Sequence, residues 1–233
     1  MAYNNGFYTK IEWDEIESKL PTYLTDSLDK ELLEYCQNSK GIVLDVGVGT
    51  GRIIEELDRK KKFENIITDI YGIDISESSV KHCRNKFPEY HFSVKNIIDT
   101  DFPDEFFDTI LLPFCLLSNL DSDKESAVKE INRVLKPNGA VNFSYYGTRA
   151  RKSQEDLYVS YASLGFTDIH SEGNYTYTKT DYGNFCSERL DQVKIGKLFG
   201  KNYLLEVIPD NPESPIIYIG LARKQVCCYT TIV

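Results

Sequence analysis

The run Val43-Leu44-Asp45-Val46-Gly47-Val48-Gly49-Thr50-Gly51-Arg52 concentrates the residues best suited to hold a ligand. A short apolar stretch, Ile42-Val43-Leu44, feeds a glycine-rich turn, and Arg52 opens a helical pattern. Glycine reaches positive φ without steric cost and lets a ligand approach the backbone. A helix start adds unpaired N–H groups and the positive end of a dipole. Asp45 stands two residues before the first glycine, at the floor of such a pocket. A carboxylate there suits a ligand with a cationic amino group and disfavours a pyrophosphate. The spacing agrees, since Arg52 falls where the dinucleotide fingerprint requires Gly or Ala.

A second acidic residue, Asp74, ends the apolar run Tyr71-Gly72-Ile73, 23 residues after Gly51. At the end of a second strand an acid can accept hydrogen bonds from both ribose hydroxyls of a nucleoside. The alternative role is to cap the following helix. Ser76 fits that role, which leaves Asp74 for the ribose.

These residues need a frame, and the hydrophobic pattern supplies one. Ile42–Leu44, Ile70–Ile73, His91–Val94, Phe107–Leu112 and Ala140–Tyr145 read as strands. Between them, helices are expected from Arg52, from Ser76 to Pro88, and over Ala127, Val128, Ile131, Val134 and Leu135, which share one helical face. Pro137-Asn138-Gly139 ends the last of these. Strands alternating with helices predict an α/β fold: a mostly parallel, seven-stranded, Rossmann-like sheet with helices on both faces. Ligands of such sheets sit beyond the carboxyl ends of the strands. Tyr203–Pro209 and Pro215–Ala222 flank the turn 210–214 and read as a closing antiparallel hairpin.

After Gly147 the alternation breaks. Residues 148–186 read as an insertion over the carboxyl edge of the sheet, with a helical stretch at Gln154–Leu164 and a Thr- and Tyr-rich stretch at Thr167–Thr178. The competing parse makes Thr167–Thr178 a core strand. Ser187–Phe199 reads as the last helix. The domain plan is thus one unit over 1–233: an N-terminal helical cap (1–40, with helices at Ile11–Leu20 and Asp26–Cys36), a ligand-binding core (41–147), the insertion (148–186), the last helix and hairpin (187–224) and a tail (225–233).

Over residues 41–146 the chain resembles the class I S-adenosylmethionine-dependent methyltransferases. Asp45 to Gly51 resembles their first motif, Asp74 their ribose-binding acid, and Ile75 the residue against the adenine. The stretch from Asn96-Ile97 to Asp108 resembles their third cofactor segment. Glu130 to Gly139 resembles the helix and turn before their fifth strand. The resemblance implies S-adenosylmethionine as cofactor, held by Asp45, Gly47, Gly49, Gly51, Arg52, Asp74, Ile75, Asn96, Ile97 and Phe114. Many members have Asp where Asn96 stands; the Asn oxygen can still accept from the adenine amino group, and Asp99 is the competing position. Pro113-Phe114-Cys115 departs from the Asn/Asp-Pro-Pro-aromatic motif of members that methylate amino groups of nucleic acids and glutamine. Tyr8 resembles the N-terminal aromatic that closes over the cofactor in small-molecule members.

Methyl transfer from a sulfonium needs alignment and exclusion of water more than it needs a base. Among the histidines, His82 and His91 read as structural, while His170 lies in the insertion and could reach a substrate. Tyr8, Tyr145 and His170 are the candidate catalytic residues. Tyr145, Tyr146, Tyr158, Tyr161, Tyr175, Tyr177 and Tyr182 gather after the fifth strand and in the insertion. They read either as aromatic walls for a flat or cationic acceptor or as ordinary lid packing.

Composition narrows the acceptor. The 233 residues carry a formal charge of −9, which disfavours nucleic acid partners, and Arg59-Lys60-Lys61-Lys62 reads as a solvated helix end. No stretch approaches the length of a membrane-spanning helix, and Met1–Lys10 lacks a secretory pattern. The six cysteines show no metal-ligand or disulfide spacing, so no metal and a cytoplasmic location are expected. The adjacent Cys227-Cys228 reads as an incidental pair, and Thr230–Val233 as a free end or a strand added to a partner. The expected activity is methyl transfer to a small-molecule or peptide natural-product acceptor, by a monomer or homodimer. Alternatives are a protein or tRNA methyltransferase, a non-catalytic S-adenosylmethionine-binding regulator and, more distantly, an NAD-dependent dehydrogenase.

Overall fold

The computed structural model describes residues 5–10, 34–209 and 217–225. The expected helix Ile11–Leu20, most of the one at Asp26–Cys36, the turn 210–214, the Cys227-Cys228 pair and the C-terminal end lie outside the described residues.

Seven strands form one sheet: β1 Gly41–Val46, β2 Ile67–Asp74, β3 His91–Val94, β4 Phe107–Leu112, β5 Leu135–Tyr146, β9 Tyr203–Pro209 and β10 Ile217–Lys224. Their order is β3-β2-β1-β4-β5-β10-β9. The first five pair in parallel, while β10 runs antiparallel between β5 and β9. The expected closing hairpin is therefore present, with β10 inserted beside β5. The strand order reverses between β1 and β4, which puts a crevice beyond their carboxyl ends.

Alternating side chains divide the core between the two faces. Val43, Ile70 and Leu111 meet Ile53, Ile54 and Leu57 of α2 (Arg52–Glu64) and Val80 and Cys83 of α3 (Glu77–Lys86). Leu44, Ile110, Val141 and Phe143 meet Val128 and Ile131 of α5 (Lys124–Val134) and Ile195 and Phe199 of α7 (Gln192–Phe199). Each large apolar side chain buried this way stabilises the fold by roughly 1.5–3 kcal/mol before chain entropy is counted. Pro137–Gly139 forms an irregularity inside β5: pairing jumps from Phe107–Leu135 to Thr109–Ala140, with Asn138 at φ 62°.

After Gly147 the chain leaves the sheet and returns to it at β9. Helix α6 (Arg151–Ser160) is followed by a separate antiparallel sheet of β6 Thr167–Glu172, β7 Tyr175–Thr180 and β8 Gly183–Glu188. Thr167–Thr178 is therefore no core strand; it bends into a hairpin at Gly173, φ 55°. The expected helix Ser187–Phe199 needs correction. Its first residues complete β8, and the helix begins only at Gln192, where the Asp191 carboxylate accepts from the Lys194 N–H at 2.7 Å. Two short helices complete the site: α1 (Asn5–Tyr8) and α4 (Leu116–Asn119).

Candidate functional site

The glycine loop is built as its composition requires. Gly47, Gly49 and Gly51 have φ of 80°, 47° and 80°, all in the left-handed region. A Cβ on Gly51 would stand 2.8 Å from the Phe87 ring, so α3 packs against the helix start too closely for any other residue. The loop is fastened from below, where the Gly47 and Val48 N–H groups donate to the Ile73 carbonyl at 2.7 and 3.1 Å. Arg52 is the first residue of α2.

Asp74 is the crosspiece. One carboxylate oxygen accepts from the Gly49 N–H at 3.0 Å and the other from the Ser76 N–H at 2.9 Å. Ser76 caps α3, accepting from the Ser79 N–H at 3.3 Å. The capping role thus belongs to Ser76, and Asp74 ties loop and strand end together. With the Ile75 N–H as a third donor, the carboxylate still keeps a lone pair for a ligand. Burial raises the Asp74 pKa against the donated bonds of Ser76, Gly49 and Ile75.

Asp45 is the anomaly of the site. It is 1% exposed, and its Oδ1 has no hydrogen-bond partner. Burial, and next the charge of Asp74, push its pKa up to about 8. A buried carboxylate without a partner is costly unless a cation arrives to pair with it. The donor set therefore fits a ligand bearing an ammonium group.

The segment expected to meet the adenine is partly turned inward. Asn96 Oδ1 accepts from the Ile98 N–H at 3.2 Å, closing a tight turn, and Asp99 is exposed. Ile97 is buried in the core, while Ile75 and Phe114 are half-buried. Phe114 and Cys115 both adopt left-handed φ, 53° and 58°, at the end of β4. Two such residues in succession cost on the order of 1 kcal/mol each and mark a constrained corner. The Cys115 N–H donates to Ser144 Oγ at 2.7 Å, which fixes that corner to β5.

A third cluster lies beyond this corner. Phe7, Cys115, Tyr146, Leu157, Tyr158, Phe166 and Phe185 are buried together, with Tyr8, Tyr161 and Tyr182 packed against them. Phe7 meets Phe185 of β8 at 4.9 Å between centroids, so α1 docks on the insertion. The Tyr8 hydroxyl bonds to the Asn119 side chain and feels the charges of Tyr158, Asp74 and Cys115. Burial is the main cause that holds this phenol far above its ordinary pKa. Tyr8 is thus brought to the strand ends.

The other two candidate catalytic residues are not. Tyr145 is in the sheet core, stacked between Phe143 and Tyr218 at 6.1 and 5.5 Å, and Tyr146 faces the aromatic cluster in its place. His170 is exposed on the outer face of the small sheet, stacked on Tyr177, with Nδ1 3.0 Å from the Asp168 carbonyl. Sequence reasoning missed Asn119, Gln154 and Ser187, which hydrogen bonds bring to the cluster. As ordinary polar residues far apart in the chain, they gave no local signal. Among the described residues no group of acidic, His or Cys side chains could hold a metal, and no helix is long and apolar enough to cross a membrane.

Comparison with known proteins places this geometry. Residues 43–139 match the model of a methyltransferase domain. The ubiquinone/menaquinone biosynthesis C-methyltransferase UbiE of Vibrio campbellii is 36% identical over 106 residues, covering 42% of this chain and 38% of that protein. The chain thus spans less than half the length of that relative. Among solved structures, the DhpI-SAM-HEP complex superposes with a TM-score of 0.66 at 16% identity, covering 95% of this chain and 98% of that one. The Burkholderia thailandensis 1,6-didemethyltoxoflavin-N1-methyltransferase, bound to 1,6-didemethyltoxoflavin and S-adenosylhomocysteine, superposes with a TM-score of 0.55 at 14% identity, covering 91% and 90%. Residues 43–139 thus match a methyltransferase domain, and the chain as a whole has the fold of the solved S-adenosylmethionine-dependent methyltransferases.

Proposed function

We propose that the chain binds S-adenosylmethionine and transfers its methyl group to a small organic acceptor. The observation that carries the reading is Asp45, a buried carboxylate with an unpartnered oxygen beside the glycine loop. Asp45 would take the ammonium of the cofactor's amino-acid end, and the lone pair left on the Asp74 carboxylate a ribose hydroxyl. Gly47, Gly49, Gly51 and Arg52 would line the amino-acid side, with Ile75, Asn96 and Ile97 toward the adenine and Phe114 at the transfer end. The bound cofactor supplies a sulfonium methyl that is already activated, so the protein's part is to align the acceptor and exclude water.

The aromatic cluster suits that part. Phe7, Tyr146, Tyr158, Phe166 and Phe185 pack against one another beyond the end of β4 and would form an apolar wall beside a flat acceptor. Burial holds the hydroxyls of Tyr8, Tyr146 and Tyr158 protonated, so they serve as hydrogen-bond donors and not as bases. An acceptor that needs no enzymatic base, or arrives already ionised, fits such walls. The names of the UbiE and didemethyltoxoflavin enzymes support a small-molecule acceptor. Four buried free thiols, Cys36, Cys83, Cys115 and Cys186, agree with a reducing compartment such as the cytoplasm.

Titration calorimetry with S-adenosylhomocysteine and with NAD tests the reading. Binding of S-adenosylhomocysteine in the micromolar range and none of NAD is expected. Tight NAD binding with no response to S-adenosylhomocysteine would refute it.

A further inference from the structure

Arg189 is buried, 1% exposed, and makes no ion pair among the described residues. Its guanidinium donates to the Gln154 Oε1 at 2.8 Å, to the Thr176 hydroxyl, and to the Gly173 and Tyr175 carbonyls at 2.8 and 3.4 Å. Because Arg can only donate, the Gln154 atom facing it must be the oxygen. Thr176 donates to the same oxygen at 2.9 Å. The amide of Gln154 is therefore locked, and its Nε2 is turned to the Tyr158 hydroxyl oxygen at 3.4 Å.

That single orientation propagates. Tyr158 accepts from Gln154 and is bonded to Ser187; since the one Ser187 proton goes to Asn119, Tyr158 is the donor in that bond. Ser187 donates to Asn119 Oδ1 at 2.6 Å. With its oxygen so engaged, Asn119 donates through Nδ2 to the Tyr8 oxygen, a bond that opposes the rise in the Tyr8 pKa. Each hydroxyl or amide thus donates onward from the buried cation toward the strand ends. Chains of aligned hydrogen bonds polarise one another, more strongly where the surroundings are apolar.

We propose that Gln154, held by Arg189, is a positioning residue: through Tyr158, Ser187 and Asn119 it fixes Tyr8 as a hydrogen-bond donor to the carboxylate of the bound cofactor. The inference rests on the proposed cofactor. The carboxylate and the ammonium of that cofactor share one carbon, so an ammonium at Asp45 keeps the carboxylate at the same end of the site. A Cβ on Gly47 would stand 3.9 Å from Leu116, so α4, which carries Asn119, borders the glycine loop and brings the Tyr8 hydroxyl it holds to that end of the site.

The substitution Gln154→Glu reverses the chain with almost no change of shape. A carboxylate has no proton to give, so Tyr158 would donate to it, Ser187 to Tyr158, and Asn119 would turn its oxygen to Tyr8. The same carboxylate pairs with Arg189, so the fold gains while the site loses. The expected result is a melting temperature raised by about 2–4 °C. S-adenosylhomocysteine binding should weaken roughly tenfold or more. Tyr8→Phe should weaken binding to a similar degree, and the double variant no further. 5′-Methylthioadenosine, which lacks the amino-acid carboxylate, should bind all three variants and the parent alike. A fall in melting temperature with Gln154→Glu, unchanged S-adenosylhomocysteine affinity, multiplied losses in the double variant, or an equal loss for 5′-methylthioadenosine would each overturn the proposal. A parent protein that fails to bind S-adenosylhomocysteine would sink the cofactor reading itself.

Discussion

Asp45→Asn should flatten the pH dependence of both folding and cofactor binding. In the ligand-free protein, burial and then the charge of Asp74 hold the Asp45 pKa at about 8, against 3.8 for an ordinary aspartate. Between those values the native state carries a proton that the unfolded chain has released, so stability falls as pH rises through this window. From pH 6 to pH 9 the pKa of about 8 is crossed with two units of protonated range below it, which at about 1.4 kcal/mol per unit amounts to roughly 2–3 kcal/mol lost. Asn has nearly the same shape and no such proton, so its urea-denaturation stability should be level over that range apart from the other titrating groups. Binding follows with the opposite sign. Pairing with an ammonium requires the ionised carboxylate, so S-adenosylhomocysteine should expel close to one proton below pH 8. Its affinity should rise by up to about tenfold per unit from pH 6 toward 8. Calorimetry in buffers of different ionisation enthalpy counts that proton directly. Proton release near zero at pH 6.5, with an affinity as high as at pH 8, would refute the assignment of Asp45 to the ammonium.

Asp74→Ala should weaken S-adenosylhomocysteine binding by about 1–3 kcal/mol, measured by calorimetry. Because Asp74 also accepts from the Gly49 and Ser76 N–H groups, the substitution should lower stability in urea by a further 1–2 kcal/mol or so, and Asp74→Asn by less. Gly51→Ala, with φ 80° and a Cβ 2.8 Å from Phe87, should lower the melting temperature by several degrees, about 1–3 kcal/mol, where Gly173→Ala, with open space around it, should cost only its backbone strain.

What was legible in the sequence was local. Asp45, the glycine turn and Arg52 are consecutive, and each strand that carries the site is a short apolar run with its own boundary signal. The Asp191 cap was legible too, since an acid before Gln192-Val193-Lys194-Ile195 is an ordinary helix start. It went unread because Leu190, which lies between β8 and α7, falls on one helical side with Val193 and Leu198. The tether from Asp74 to Gly49 joins residues 25 apart, and the bond from Ser187 to Asn119 joins residues 68 apart. No local pattern encodes such bonds. They follow from the strand order, which brings the ends of β2 and β4 to one crevice, and from the insertion, whose β8 returns to it.

The choice between Tyr145 and Tyr146 shows how finely that limit falls. Adjacent residues of a strand point to opposite faces, so one step of register decides whether a tyrosine is core or site. The pairing of Leu112 with Phe143 sets that register, and Phe143 carries Tyr145 with it onto the face that α7 covers. Tyr146 is then turned to the aromatic cluster. Composition favoured neither tyrosine. The irregularity at Pro137–Gly139 shifts the pairing between Leu135 and Ala140, yet Leu135, Val141, Phe143 and Tyr145 still share one face of the sheet. Alternation along β5 therefore pairs Tyr145 with the core; what the sequence alone lacks is which of the two faces the insertion covers, and that follows only from where β8 and α1 dock.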